Sequence, residues 1–239
     1  MATETVERVV KALVGAQFAK PGAPPLSDPR AHILVTISRD HGALGAEVAQ
    51  RLADVLGAPC ADREILEAIA HRARVDTALV ESLDRHVASI KSEWWRGLLS
   101  GKALTREQFS RNLVKVILSI ARHNAVIIGR GAHLILGAGV AFRVRIVGCT
   151  ERCARRIGER EGLSPDKARE RVRSVNRERD EFLRVYFDHP IDDPRSYDLV
   201  INSDRFDVEA MVELILLGLR QAGYHLPVGA GSGDASLRA

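Results

Sequence analysis

The chain is short of the features that send a protein out of the cell, into a bilayer or onto a nucleic acid. No apolar run approaches the ~18 residues of a membrane-spanning helix, which excludes a conventional helical span. The N-terminal segment carries Glu4 and Glu7 and has no apolar signal core ahead of a small-residue cleavage site, so a cytoplasmic location is expected. Cysteine is scarce. Cys60, Cys149 and Cys153 are too few and too odd in number for a disulfide framework. Cys149 and Cys153 amount to half a zinc set, and no His or Cys cluster in the sequence completes it. Aromatic residues make up 5% of the chain and form no basic, aromatic-interleaved platform, so nucleic acid is not an expected partner.

What is present is a globular composition with one unevenness. Over 239 residues, 46% are hydrophobic and 28% charged, which suits one soluble α/β domain with a sizeable core. The formal net charge is +4, yet residues 143–184 alone hold 13 Lys/Arg against 8 Asp/Glu, a local +5. Such a stretch is either a solvated, salt-bridged helix face or a cationic lid over an anionic ligand.

Val6, Val9, Val10, Leu13 and Val14 recur at helical spacing within residues 4–19, and a proline-rich segment over 21–29 ends that helix. Residues 1–30 therefore read as a helix and linker appended to the body, packed on it or on a partner subunit. From 31 to 224 the pattern alternates. Strands are predicted at 33–38, 58–61, 125–128, 142–147 and 199–201. Helices are predicted at 44–56, 63–71, 76–90, 105–123, 151–161, 165–187 and 208–221. Residues 225–239, small and polar, read as a disordered tail. Five short apolar strands separated by helices predict a parallel sheet covered on both faces. Ligands of such sheets bind outside the carboxyl ends of the strands. That rule gathers Ser38–Gly42, Asp62–Arg63, Gly129–Gly131, Gly148–Thr150 and Asn202–Asp204 at one edge.

The first of these junctions is the most informative. An apolar, β-branched run from Ile33 gives way to the turn Gly42-Ala43-Leu44-Gly45-Ala46, which opens onto a helix with Val48, Leu52, Val55 and Leu56 facing inward. In this layout backbone N–H groups and a helix N-terminus meet an anion. A full P-loop closes on Gly-Lys and a hydroxyl residue; here Gly45, Ala46 and Glu47 stand in those places. Arg130 sits between Gly129 and Gly131 just past a strand, either a solvated turn arginine or a fork of donors aimed at a phosphate. Arg152, Arg155, Arg156 and Arg160 share much of one helix face, structural or ligand-facing. Arg179 interrupts the stripe Val172, Val175, Phe182, Tyr186, where it either snorkels or meets an anion. Asp62 caps the helix that follows, holds Mg²⁺ through water, or accepts from a substrate amine or hydroxyl. Trp94 and Trp95 pack beneath an insertion or stack on a nucleobase.

With those residues in hand, the chain resembles the cytidylate kinase-like family, a branch of the P-loop nucleoside monophosphate kinases. The resemblance rests on ordered blocks: Thr36–Gly42, Leu52–Gly57, Asp62–Leu66, Val126–Ala132, Arg160–Ser164 and Asp193–Asn202. It implies a three-layer fold with a five-stranded parallel sheet, a helical acceptor-binding insertion at about 72–123 and an arginine-rich lid at about 152–184. The implied reaction moves the γ-phosphoryl of ATP, with Mg²⁺, to CMP, dCMP or a similar monophosphate. By matching position, Gly42, Ala43, Leu44, Gly45 and Ala46 form the phosphate loop, and Arg155, Arg156 and Asn202 join them around ATP. Asp62, Arg63, Arg130 and Gly131 hold the acceptor; Arg39, Arg130 and Arg179 assist transfer; Asp40 and Asp62 are the implied Mg²⁺ ligands. A homodimer through the N-terminal helix completes the expectation. The loop departs from the family's Gly-Ser-Gly-Gly followed by Arg or Ser, which leaves a nucleotide-binding or scaffolding protein without phosphoryl transfer as the competing reading.

Overall fold

The computed structural model describes residues 32–62, 113–114, 116–118, 120–121 and 123–227. The strand β1 (Leu34–Arg39) carries Leu34, Val35 and Ile37 at 0% exposure, burial on both faces that only a central strand receives. After it come the helix α1 (Gly45–Leu56), β2 (Cys60–Ala61), β3 (Ala125–Ile128) and the short α2 (Ala132–Leu136). The chain continues through β4 (Phe142–Val147), α3 (Thr150–Glu161), α4 (Pro165–Phe187), β5 (Leu199–Asn202) and α5 (Val208–Gln221). The sheet has five parallel strands in the order β2-β3-β1-β4-β5. Leu34 pairs with Ala125 on one side of β1, and Val35 with Phe142 on the other. The chain leaves β1 toward one edge of the sheet and leaves β4 toward the other. A crevice therefore opens at the carboxyl end of β1.

Alternation along the strands feeds two separate apolar layers. Leu34, Ala125 and Ile127 pack with α2 and with the helical residues Leu113, Val116, Ile117 and Ile120. Val35, Ile37, Val144 and Ile146 point the other way, onto Val48 and Leu52 of α1, Ile157 of α3 and Ile215 of α5. Each such side chain removed from water contributes ~1.5–3 kcal/mol, so the layers fix the strand ends to which the site is attached. α4 packs against α3, and only Ala168, Val172 and Leu183 of its 23 residues are buried. The rest of that helix is available to face the crevice or solvent.

The predicted strands and most helices stand within one or two residues of their expected limits. Two differences have physical causes. α1 begins at Gly45 because Leu44 adopts φ 62°, the left-handed region, and caps the helix instead of joining it. α2 was not anticipated, since five residues are too few for a helical period to declare itself. Ser164 does occupy the N-cap of α4 with Pro165 behind it, but its hydroxyl makes no capping bond; Asp207 of α5 does cap, accepting from the Ala210 N–H at 2.9 Å. The N-terminal helix and linker, the helices at 63–71 and 76–90, the Trp94-Trp95 pair, most of the helix at 105–123 and tail residues 228–239 lie outside the described residues, as does any dimer contact made by the first of these. Among the described residues no helix is long and apolar enough to cross a membrane.

Candidate functional site

The turn between β1 and α1 is held from outside by the α3–α4 pair. Gly42 has φ 82°, and a Cβ there would stand 2.6 Å from the Cys153 carbonyl oxygen of α3, so only glycine lets the two backbones meet. Arg156 of α3 donates to the Gly42 carbonyl (3.1 Å) and to the Ser203 carbonyl (2.7 Å) beyond β5. From α4, Asn176 Oδ1 accepts the His41 N–H at 2.7 Å, and Arg179 Nη1 donates to the Arg39 carbonyl at 2.9 Å. Leu44 packs its side chain against the layer under β1, so it borders the cleft without filling it. At the head of α1 the N–H groups of Gly45, Ala46 and Glu47 meet no protein acceptor among the described residues. Three donors and a helix N-terminus therefore face open space, the arrangement that favours an anion.

That space is a cleft of about 560 Å³ bordered by the turn and by Arg156, Arg160 and Arg179. His41 stands at its inner corner, with Nε2 at 4.0 Å from the Glu161 carboxylate. Burial, reinforced by the Arg179, Arg160 and Arg171 guanidiniums, pushes its imidazole down to about 4 despite the opposing pull of Glu161. It is neutral at pH 7.

A second hollow of about 130 Å³ adjoins the first across Arg39 and Arg179, which border both. Its floor is the turn Gly129-Arg130-Gly131, three consecutive residues at φ 73°, 54° and 69°. The flanking glycines admit this conformation freely, and Arg130 is carried through it as a non-glycine residue. The Arg130 guanidinium carbon lies 4.8 Å from the centre of the Phe182 ring on α4, a cation–π contact that fixes its direction. The Arg39 side chain runs between the two hollows: its Cβ and Cγ lie against Gly45, and its Nη1 lies beside Gly129. Beneath the second hollow His133 stacks on Tyr197 at 4.9 Å, and the Tyr197 hydroxyl donates to the Ile191 carbonyl at 2.7 Å. His133 is 3% exposed, and burial, with Arg143, His189 and Arg145 nearby, pushes it down to about 3.

The structure brings together Arg39, Gly42, Ala43, Leu44, Gly45, Ala46, Arg130, Gly131 and Arg179 around these two hollows or in the turn between them. The other expected residues that are described stand apart from that set or are held by other protein groups. Arg155 is exposed and borders a groove on the outer side of α3 with Arg169 and Pro165, away from the turn. Arg156 does reach the turn, but its guanidinium is occupied by backbone carbonyls, so it is a brace. Asn202 is exposed, and its side-chain oxygen accepts the Asp204 N–H at 2.9 Å. Asp40 is paired with Arg145 at 2.5 Å and also accepts the Gly148 N–H at 3.3 Å, which leaves it unsuited to hold Mg²⁺. Asp62 is half-buried at the end of β2 and borders neither hollow. Arg63 lies outside the described residues. Among the described residues no three His, Cys, Asp or Glu side chains group as a metal set. His41, Asn176 and Phe182 were not singled out as site residues by sequence reasoning. A polar residue one turn before Arg179, on the same helical face, was the available signal for Asn176.

No curated protein matches the chain. A protein of Eubacterium ventriosum ATCC 27560 shares its fold at TM-score 0.62 with 21% identity, covering 79% of this chain and 99% of that one. A shikimate kinase from Bacteroides thetaiotaomicron aligns at TM-score 0.44 with 14% identity, over 79% of this chain and 98% of its own. A gluconokinase from Sinorhizobium meliloti 1021 aligns at 0.46 with 15% identity, over 81% and 94%. Only the first superposition is close enough to support the fold. The model of the cytidylate kinase-like family matches residues 34–205, from the first residue of β1 to just beyond β5. A match over that much of the chain assigns it: the protein belongs to the cytidylate kinase-like family.

Proposed function

We propose that the protein is an ATP-dependent nucleoside monophosphate kinase acting on CMP, dCMP or a similar monophosphate. The observation that carries this reading is the pair of adjoining hollows with Arg39 and Arg179 between them. One is walled by helix-terminal N–H groups that meet no acceptor among the described residues, and it suits a donor polyphosphate. The other presents Arg130, whose guanidinium suits the phosphate of an acceptor. Phosphoryl transfer asks the protein mainly to position two phosphates in line and to spread positive charge over the group in flight. Arg39 and Arg179, between donor and acceptor, answer that need. Mg²⁺ accompanies ATP in the family's chemistry, and Asp40, held by Arg145 and the Gly148 N–H, does not fit as its ligand.

A second reading has one specific observation in its favour. Ala46 and Glu47 replace the Lys and hydroxyl of a full phosphate loop, and a missing charge-assisted phosphate contact forfeits about 1.5–3 kcal/mol. On this reading the protein binds nucleotide without transferring phosphoryl. A coupled ADP-release assay with CMP, dCMP, UMP and AMP in excess Mg²⁺ decides between them. Turnover with any acceptor supports the kinase; binding of ATP or CMP by calorimetry without turnover supports the binding protein.

A further inference from the structure

In a phosphate loop ending in Gly-Lys, the lysine reaches the bound phosphates and helps order the loop around them. This chain has no cation within the turn from Gly42 to Glu47. Its backbone is grasped instead at three nearby points from the α3–α4 pair. Arg179 takes the carbonyl of Arg39, Asn176 takes the N–H of His41, and Arg156 takes the carbonyl of Gly42. Asn176 and Arg179 are three residues apart on α4, hence on one face, and they meet atoms on alternate residues of the segment leaving β1. The two contacts are side-chain counterparts of a strand pairing. They are made far along the sequence, 135 and 140 residues from their partners. Asn176 is the member of this set to which the sequence pattern alone assigned no role. Its partner is a backbone N–H, so removing its carbonyl oxygen leaves that half-buried donor unmet.

We propose that Asn176 is a positioning residue for donor binding: by holding the His41 N–H it sets the shape of the phosphate loop, so the α3–α4 pair acts as a buttress that makes the loop competent for polyphosphate. The inference rests on the functional reading above, in that it takes the larger cleft as the donor site. Because Asn176 grips the loop and Arg130 lies across the Arg39–Arg179 wall, the buttress governs donor affinity and leaves acceptor affinity alone.

The test uses the full chain with Asn176→Leu, which removes the acceptor atom, and Asn176→Asp, which keeps one in the same place. Isothermal calorimetry with ATP and with pyrophosphate should show about five- to tenfold weaker binding in Asn176→Leu, with CMP affinity within twofold of wild type. Asn176→Asp should recover most of the loss. Hydrogen exchange of the loop amides in the free protein gives a second reading that needs no ligand: His41 should exchange faster in Asn176→Leu and near the wild-type rate in Asn176→Asp. Unchanged ATP affinity in the leucine variant, or an aspartate variant as weak as the leucine one, overturns the buttress while leaving the kinase reading standing. If wild type binds neither ATP nor pyrophosphate, the donor-site assignment falls, and this inference falls with it. If Asn176→Leu does not fold, Asn176→Ala takes its place in both measurements, with the same outcomes.

Discussion

The Arg179 guanidinium donates to the Arg39 carbonyl oxygen at 2.9 Å, so the wall between the two hollows is made of one arginine's side chain and another's main chain. The Arg39 side chain then continues that wall past Gly45 to Gly129. A cation fixed in this way needs little rearrangement when a phosphoryl group passes beside it. Replacing Arg179 with alanine is expected to lower kcat by at least tenfold, corresponding to the ~1.5–3 kcal/mol of a hydrogen bond to a charged group. Replacement with lysine should recover only part, because a point charge cannot both hold the carbonyl and fork toward phosphate. Steady-state kinetics on the two variants checks this.

Arg130 offers a separable test. It projects from a turn, and its contact with Phe182 is worth only ~0.5–1 kcal/mol at a partly exposed position. Arg130→Ala is expected to weaken monophosphate binding by an order of magnitude or more, a larger effect than its change in melting temperature. Calorimetric titration with CMP alongside thermal unfolding reads both quantities; unfolding without altered affinity would make Arg130 structural.

Asp40 is the residue for which two roles predict opposite outcomes. Its partner Arg145 is 6% exposed, so Asp40→Asn leaves a buried guanidinium without its counter-charge. Breaking such a pair from one side costs about 3–5 kcal/mol. Denaturant unfolding should show that loss. A magnesium ligand would instead leave stability nearly intact and raise the metal concentration needed for activity.

Gly42 is limited by both conformation and space. Alanine at φ 82° carries the left-handed penalty of ~1–2 kcal/mol, and its methyl would lie 2.6 Å from the Cys153 carbonyl oxygen. Gly42→Ala is expected to lose stability beyond that penalty, measured by urea unfolding, since backbone on α3 must shift to admit it.

Acid sensitivity follows from two neutral histidines. His133 is pushed down to about 3 and His41 to about 4, both below the 6.5 of an unfolded chain. Between those values the unfolded state binds protons that the folded state refuses, so stability is complete above pH 6.5 and falls as pH is lowered toward 4. Each group contributes a slope of at most about 1.4 kcal/mol per pH unit. Thermal melts across this range should show the decline. His133→Phe, which keeps the stack on Tyr197, should flatten it.

The sheet was legible in the sequence because β1 and β3 are buried on both faces and read as short, mostly apolar runs, whereas Arg143 and Arg145 interrupt β4 and Val200 of β5 is exposed. Arg130 was legible for a related reason: an arginine between two glycines at a strand end has few structural uses. Arg155 and Arg156 show where such reasoning stops. They are neighbours on α3, one facing outward and one reaching back to the Gly42 carbonyl, and helical spacing alone does not say which face meets the loop. Asp40 looked like a metal ligand for as long as its partner, 105 residues away on β4, was unknown. Asn176 has only its spacing from Arg179 as a local signature, because its partner is a backbone amide 135 residues earlier.

Leu44 carries a last consequence. A leucine at φ 62° is strained where glycine would rest easily, yet its partly buried side chain packs against the apolar layer beneath β1. That packing makes the anion-receiving corner part of the same cooperative unit as the sheet itself. Warming should therefore not melt the corner ahead of the body: ligand affinity and global structure are expected to disappear together, in one transition.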